Sequence, residues 1–404
     1  PPPPPPPPPP LSTETATPES YTRMESSAAS DVYKRQHEYL DVKPDDMSRP
    51  SFALLDTQAF TANYRYAKSL APAARAVAVI KANAYGHGAV ALARVLAAEA
   101  DAFAVASTEE AMELRESGIT NSILLLEGAF EPAEIDNAAV HGFALVIHTS
   151  QQLEWLRAAR PKQALNVWLK ADTGMHRLGF APHEVQQVHA RLSASPNVDQ
   201  IVLMSHFARA DETGEPATDH QLALFQQMCQ GLPGAVSLAN SAATLAWPQA
   251  HGDWIRPGIM LYGSSPLPSG HPAGSALRPV MHLESQLIAI HELSTGDSIG
   301  YGARYTCSEP TRVGVVATGY ADGYPRHAPD GTPVAVNGRL TRLIGRVSMD
   351  MLTVDLNDQP EAGIGDQVQL WGDLVSANEV ARLSDTISYE LFTGITRRVH
   401  FRYR

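Results

Sequence analysis

The stretch "RAVAVIKANAYGHG" closes an apolar, β-branched run with a lysine, Lys81. A lysine amine at the end of a strand is a nucleophile able to form Schiff bases with carbonyl substrates and with the aldehyde of pyridoxal phosphate. An ordinary surface lysine closing a strand carries the same local signature, so the motif alone leaves both readings open. Far downstream, "LANSAATL" puts Asn240 and Ser241 at the start of a helix-like segment, whose free N–H groups can bind an anion. "IRPGIMLYG" follows, with Gly258 allowing a ligand close to the backbone. Taken singly, Ser241 is a helix cap and Gly258 a turn glycine. Together, after two successive strand-like runs, they outline a phosphate site.

Such residues need a scaffold that brings distant strand ends to one rim. Eight short apolar runs supply the strands: "RAVAVIK", "AFAVAS", "SILLLEG", "GFALVIH", "NVWLKAD", "IVLMSHF", "AVSLAN" and "DWIRPGIMLYG". Amphipathic segments such as "GAVALARVLAAEA", "TEEAMELRESG" and "SQQLEWLRAAR" lie between them. Strands alternating with helix-length segments imply parallel βαβ units. Eight units over roughly 200 residues suit a (β/α)8 TIM barrel, whose sites lie at the carboxyl ends of the strands and whose phosphate sites follow strands seven and eight. An open doubly wound sheet is the alternative that counting leaves standing. Beyond about residue 281 the helical periodicity mostly stops. Strand-like runs punctuated by "STGD", "APDGTP", "VNGR" and "GIGD" indicate a C-terminal, mainly β domain. The expected organisation is therefore a barrel over 47–281 and a β-rich domain over 282–404. "SFALLD", near residue 51, is an extra strand that fits either.

Residues 1–46 differ in texture. Ten prolines precede a polar stretch rich in Ser, Thr and Glu, a composition unable to bury enough apolar surface to order itself. It lacks the apolar centre of a secretory signal. "MSRPSFALLD", from Met47, reads as a natural start, with 1–46 as a disordered or artefactual leader. The formal charge of −12 argues against nucleic acid as a partner. No apolar run reaches the length of a membrane span. Two cysteines, Cys229 and Cys307, form neither a disulfide framework nor a metal site, so no metal is expected and a reducing compartment is.

Eight motifs in order carry a resemblance. "AVIKANAYGHG", "KADTGMHRLGF", "MSHFARAD", "LANSAATL", "IRPGIMLYG", "IGYGARYT", "GYADGYPR" and "GRVSMDM" resemble the successive motifs of bacterial alanine racemases, from about residue 48 to 400. Each is weak alone; the ordered set is specific. The resemblance implies a (β/α)8 barrel plus a β domain, pyridoxal 5'-phosphate as cofactor, alanine as substrate, and a cytoplasmic homodimer with active sites at the interface.

Through the resemblance, Lys81 is the lysine that holds the cofactor covalently and moves a proton on one face of the substrate. Tyr301 is the opposing base, reaching the site from the partner subunit. Inverting a carbon centre requires a proton to leave one face and arrive on the other, which suits two bases. Without the resemblance, Tyr301 is more simply a packed strand tyrosine. Arg256 matches the arginine at the pyridine nitrogen, where a permanently charged guanidinium donates without transferring a proton. His206 matches a histidine that orients that arginine and the tyrosine, although a histidine ending a buried strand is commonly a core residue.

Arg177 matches a contact to the cofactor's phenolic oxygen and to substrate. Lys170 matches a lysine often carbamylated in the family, which would offset two positive charges at one barrel rim. Tyr85, Ser241, Gly258, Ile259 and Tyr389 match phosphate contacts, with Asn240 beside them. Met349 matches a partner-subunit residue whose backbone receives the substrate carboxylate, and Ser348 stands where the family often has cysteine. Tyr320, Asp211, Arg326 and Ile387 match residues that narrow the substrate corridor.

Three other readings compete, the weakest a decarboxylase on a related barrel, which would carry an acidic residue in place of the arginine at the pyridine nitrogen. A broader racemase of the same fold would act on serine, lysine or arginine, and such relatives tend to be secreted with a more open entrance. A non-catalytic pyridoxal-phosphate-binding protein would lack the domain that carries Tyr301.

Overall fold

The computed structural model describes residues 48–404. The reading of 1–46 as a leader, and of Met47 as the start, lies outside them. Strand β1 (Ser51–Leu55) leads into a helix over Thr57–Leu70 that Asp56 caps by accepting from Ala59 N–H at 2.8 Å. Then come the strands of the first sheet: β2 (Arg75–Val79), β3 (Ala102–Val105), β4 (Ile123–Leu125), β5 (Phe143–Ile147), β6 (Leu165–Lys170), β7 (Val198–Met204), β8 (Ala235–Ser237) and β9 (Trp254–Ile255).

All eight runs singled out in the sequence overlap one of these strands. Every pairing is parallel, in the order β8-β7-β6-β5-β4-β3-β2-β9. The seam between β8 and β9 is bridged by Asp253 N–H to Val236 O (2.9 Å) and Arg256 N–H to Ala239 O (2.8 Å). The sheet is thus a nearly closed TIM-like barrel, and the open doubly wound alternative falls. Most of the strands are buried along almost their whole length, as sheets covered on both faces require, whereas β7 and β8 are buried only toward their carboxyl ends.

The second sheet uses β10 (Met281–Leu293), β13 (Thr311–Val316), β14 (Pro333–Val336), β15 (Arg339–Arg342), β16 (Leu352–Asp355), β17 (Gln367–Trp371) and β18 (His400–Tyr403). A separate two-stranded ribbon pairs β11 (Ser298–Ile299) with β12 (Tyr305–Thr306). Strand β10 is long enough to serve two sets of partners. Its first half pairs with β1 and β17, and from Leu287 onward it pairs with β13, across an irregularity between Leu287 and Ala289. Strand β1, left open by the sequence, lies in this sheet, antiparallel to β10 and parallel to β18. The second sheet is therefore built from both ends of the described chain. Two short helices, Ala377–Leu383 and Ser388–Thr393, sit within its C-terminal part. One apolar core runs through both sheets, including Leu55, Tyr262, Trp371 and Phe392.

Candidate active site

The residues named in the sequence lie just beyond the carboxyl ends of five parallel strands. Lys81 follows β2, Lys170 ends β6, His206 follows β7, Asn240 and Ser241 follow β8, and Arg256 and Gly258 follow β9. That is the rim where barrel sites form.

Lys81 opens an unusual segment. Ala82, Asn83, Ala84 and Tyr85 have φ of 51°, 52°, 52° and 51°, one turn of left-handed helix without a glycine. For L-residues this costs roughly 1–2 kcal/mol each, so the surroundings must enforce it. The Glu110 carboxylate accepts from Ala82 N–H (2.6 Å) and from Ala106 N–H (2.7 Å), tying the ends of β2 and β3 together. Asn83 Oδ1 accepts from Ala89 N–H at 2.8 Å. His87 is fully buried, with Nδ1 2.9 Å from Tyr85 O. The carbonyl can only accept, so Nδ1 carries the proton. Burial holds this histidine down to about 4, hence neutral near pH 7. None of these supports was singled out in the sequence. A carboxylate just past the third strand, in "ASTEE", was the visible signal for Glu110.

The turn delivers Tyr85 to the anion cup. Tyr85 stacks on Tyr262 (ring centroids 4.8 Å apart) and approaches Tyr389 at 5.8 Å. Burial pushes the Tyr85 hydroxyl up to about 12 and Tyr389 higher still, aided by Tyr85 and Asp211, so both remain donors. Ser241 Oγ accepts from Gly258 N–H (2.8 Å) and Met260 N–H (3.3 Å), while Asn240 Oδ1 caps its helix through Ala243 N–H (3.0 Å). A Cβ built on Gly258 would lie 2.7 Å from the Tyr85 hydroxyl, so the backbone there is reachable only because residue 258 has no side chain. Tyr85, Ser241, Gly258, Ile259 and Tyr389 are thereby gathered in one chain.

Beside the cup lies an excess of positive charge. Arg256 is 4% exposed, held by Ser237 Oγ (2.5 Å), Ser205 O (2.7 Å) and Leu238 O (3.3 Å). Its orientation, which the resemblance gives to His206, is carried here by these three oxygens. Burial brings Arg256 down to about 10, leaving it charged at neutral pH. Lys170 is 7% exposed and pushed down to about 8, first by burial and then by Arg256, Arg177 and Lys81. Burial and the same cations drive His206 well below its ordinary value, so it is neutral. Arg177 rides an exposed loop shaped by Asp172, whose Oδ1 accepts from Gly174 N–H (2.9 Å) and His176 N–H (3.1 Å). Several cations, a hydroxyl-lined cup and an open backbone fit a small anionic cofactor with a phosphate group.

The second-sheet candidates stand elsewhere. Tyr301 lies on a turn between β11 and β12 and is 69% exposed, not a packed strand tyrosine. Among the described residues no hydrogen bond or ring contact joins it to Lys81. Met349 is 52% exposed, Tyr320 and Ile387 are also exposed, and the Arg326 guanidinium sits 6.0 Å from the Tyr320 ring.

Comparison with known proteins gives the family. The family model described as the alanine racemase N-terminal domain matches residues 55–266, and the C-terminal domain model matches 280–403. The chain belongs to the alanine racemase family. The alanine racemase of Azoarcus sp. (strain BH72) is 55% identical over 356 residues, covering 88% of this chain and 99% of that protein. The catabolic alanine racemase of Pseudomonas aeruginosa is 54% identical over 349 residues, covering 86% of this chain and 98% of its own. Among solved structures, the biosynthetic alanine racemase of Pseudomonas aeruginosa superposes with a TM-score of 0.86 at 51% identity, covering 88% of this chain and 100% of that one. The alanine racemase of Bartonella henselae, solved with covalently bound pyridoxal phosphate, gives 0.81 at 29% identity, covering 88% and 100%.

Proposed function

We propose that this chain interconverts L- and D-alanine as a pyridoxal-phosphate-dependent isomerase, working as a cytoplasmic homodimer. The observation that carries the reading is Lys81 on the barrel rim, flanked by the cup of Tyr85, Ser241, Gly258 and Tyr389 and by the buried Arg256 guanidinium. When bound, the cofactor supplies an electron sink that makes an amino acid's α-proton removable.

The chain's own residues do the rest. Lys81 anchors the cofactor and carries the proton on one face of Cα. Arg256, charged and held by three oxygens, would donate to the ring nitrogen of a bound cofactor without surrendering its proton, which would keep the sink weak and disfavour side reactions such as transamination. Tyr301, exposed and, among the described residues, with no hydrogen bond or ring contact to the Lys81 of its own chain, acts on the opposite face from a second copy, alongside that copy's Met349 and Tyr320. Tyr320, Asp211, Arg326 and Ile387 narrow the way in, which suits a one-methyl side chain. Lys170, low enough to be partly neutral near pH 8, is set to react with carbon dioxide. The resulting carbamate would offset Arg177. Racemisation runs both ways, so one site serves D-alanine supply for peptidoglycan or alanine breakdown.

The test incubates the protein with pyridoxal phosphate and a panel of L-alanine, serine, lysine and arginine, then follows absorbance of the lysine-bound cofactor and chiral products. D-alanine forming fastest supports the reading. Faster serine or lysine turnover makes the chain a broader racemase, and bound cofactor without any racemisation makes it a binding protein.

A further inference from the structure

Three segments far apart in sequence meet at one buried carboxylate. Asp322 closes the turn Tyr320–Asp322 and is fully buried. One oxygen accepts from Gly319 N–H at 2.8 Å, and the other faces Arg398 Nε at 3.3 Å. The same guanidinium reaches Asp350 Oδ1 at 2.6 Å. Thr396 closes the third side: its hydroxyl donates to Ala321 O at 2.8 Å and its N–H to Asp322 O at 3.2 Å. The turn is zipped to the 348–351 loop by Tyr320 N–H to Ser348 O and Ala321 N–H to Met349 O, both 3.0 Å. There is no slack. A Cβ on Gly319 would sit 2.4 Å from the Ser348 and Met349 carbonyl oxygens, and one on Gly323 2.5 Å from Gly394 O.

Capping Gly319 does not require a charge, since an asparagine oxygen would serve. Burying a carboxylate is costly unless a cation partners it, so the Asp322–Arg398 pair is a device that ties segments together more than one that adds stability. What the knot displays on its outside is Tyr320 and Met349. We propose that Asp322 and Arg398 are positioning residues for substrate recognition. Their pair fixes the Tyr320 ring and the Met349 backbone relative to one another, and so sets the KM for alanine and the rejection of larger amino acids, leaving cofactor binding alone. This rests on the racemase reading above.

The test compares Asp322→Asn and Arg398→Lys with the wild-type holoenzyme. Asparagine keeps the cap and the size but drops the charge. Lysine keeps the charge but lacks the fork that spans Asp322 and Asp350. Misplacing a substrate-holding group costs up to about 100-fold, so KM for alanine should rise by roughly ten- to a hundredfold. At saturating alanine kcat should recover most of its value, cofactor affinity should be unchanged, and the preference for alanine over serine should narrow. Folded variants that keep the wild-type KM overturn the proposal, as do variants whose KM and cofactor affinity worsen together. If Asp322→Asn does not fold, Asp350→Asn carries the test from the half-exposed end of the network. It should raise KM in the same direction by less, and an unchanged KM there overturns the proposal. A wild-type enzyme that racemises no alanine overturns the underlying reading instead.

Discussion

The barrel rim and the β11–β12 ribbon carry the two acid–base candidates in opposite ways. At the rim the buried arginine and the strained turn have local support: Arg256 has three oxygens, and the left-handed turn has Glu110, Asn83 and His87. On the ribbon Tyr301 stands in the open on a turn backed by the small cluster Ile299, Cys307, Val313 and Ile344. The rim groups are held from within the chain, whereas Tyr301 is displayed on its surface. Sites are built on rigid elements when the geometry must survive without a partner. A displayed side chain needs only a firm base and a complementary surface.

The sharpest way to break that comparison is to remove each half separately. Lys81→Ala should lower racemisation by more than about 10⁴-fold, because anchor and base are lost together. Borohydride labelling of bound cofactor, mapped by peptide analysis, should vanish with it. Tyr301→Phe should cost about 10²–10⁴-fold in turnover yet leave that labelling intact. Equal loss of labelling in both variants would mean that Tyr301 belongs to the rim after all.

Mixing reads the division between chains. Lys81→Ala and Tyr301→Ala proteins, each inactive, should recover activity when allowed to exchange subunits. A mixed dimer holds one site with both defects and one with neither, so random pairing caps recovery at about a quarter of wild type. No recovery from exchange-competent mixtures would place both bases in one chain's site.

Gly258→Ala tests the rim alone. Its Cβ would come 2.7 Å from the Tyr85 hydroxyl. Overpacking of this kind costs about 1–3 kcal/mol, or roughly ten- to a hundredfold in cofactor Kd. Titration with pyridoxal phosphate measures it, and unchanged affinity would remove Gly258 from the cup.

The smallest effect at neutral pH concerns His87. The folded state refuses a proton that the unfolded chain takes up near 6.5. This contribution is whole above pH 6.5 and is lost as pH falls toward 4, by up to about 3 kcal/mol. His87→Asn keeps a donor toward Tyr85 O without that titration. Its thermal midpoint should therefore decline less than the wild type's between pH 6.5 and 4, and parallel declines would refute the assignment.

Where local pattern decides conformation, the sequence was sufficient. The eight apolar runs announce the barrel because each strand's burial on both faces is written in its own residues. "VNGR" announces the β14–β15 hairpin, because Asn337 (φ 47°) and Gly338 (φ 78°) tolerate the positive φ that a two-residue turn demands. The cap of the helix after β8 was legible to within one residue: Asn240, not Ser241, is the capping residue, and Ser241 is the first helical one. Lys81, Ser241 and Gly258 could be singled out through the strands they follow, whereas Arg256, Tyr85, Ile259 and Tyr389 were named only through the resemblance.

Tertiary structure alone decided the rest. In "ANAY" only Asn83 tolerates a left-handed conformation by itself; Ala82, Ala84 and Tyr85 adopt it where Glu110, on the helix after β3, accepts from Ala82 N–H. Strand β1 could have joined either sheet, and its edge was settled by β10 and β18, hundreds of residues away. Asp322 reads as an ordinary turn aspartate until Arg398 arrives beside it. Spacing and residue type record a residue's own preferences. A partner brought up by a distant segment leaves no mark near the residue it constrains, and at these three places the partner outweighed the preference.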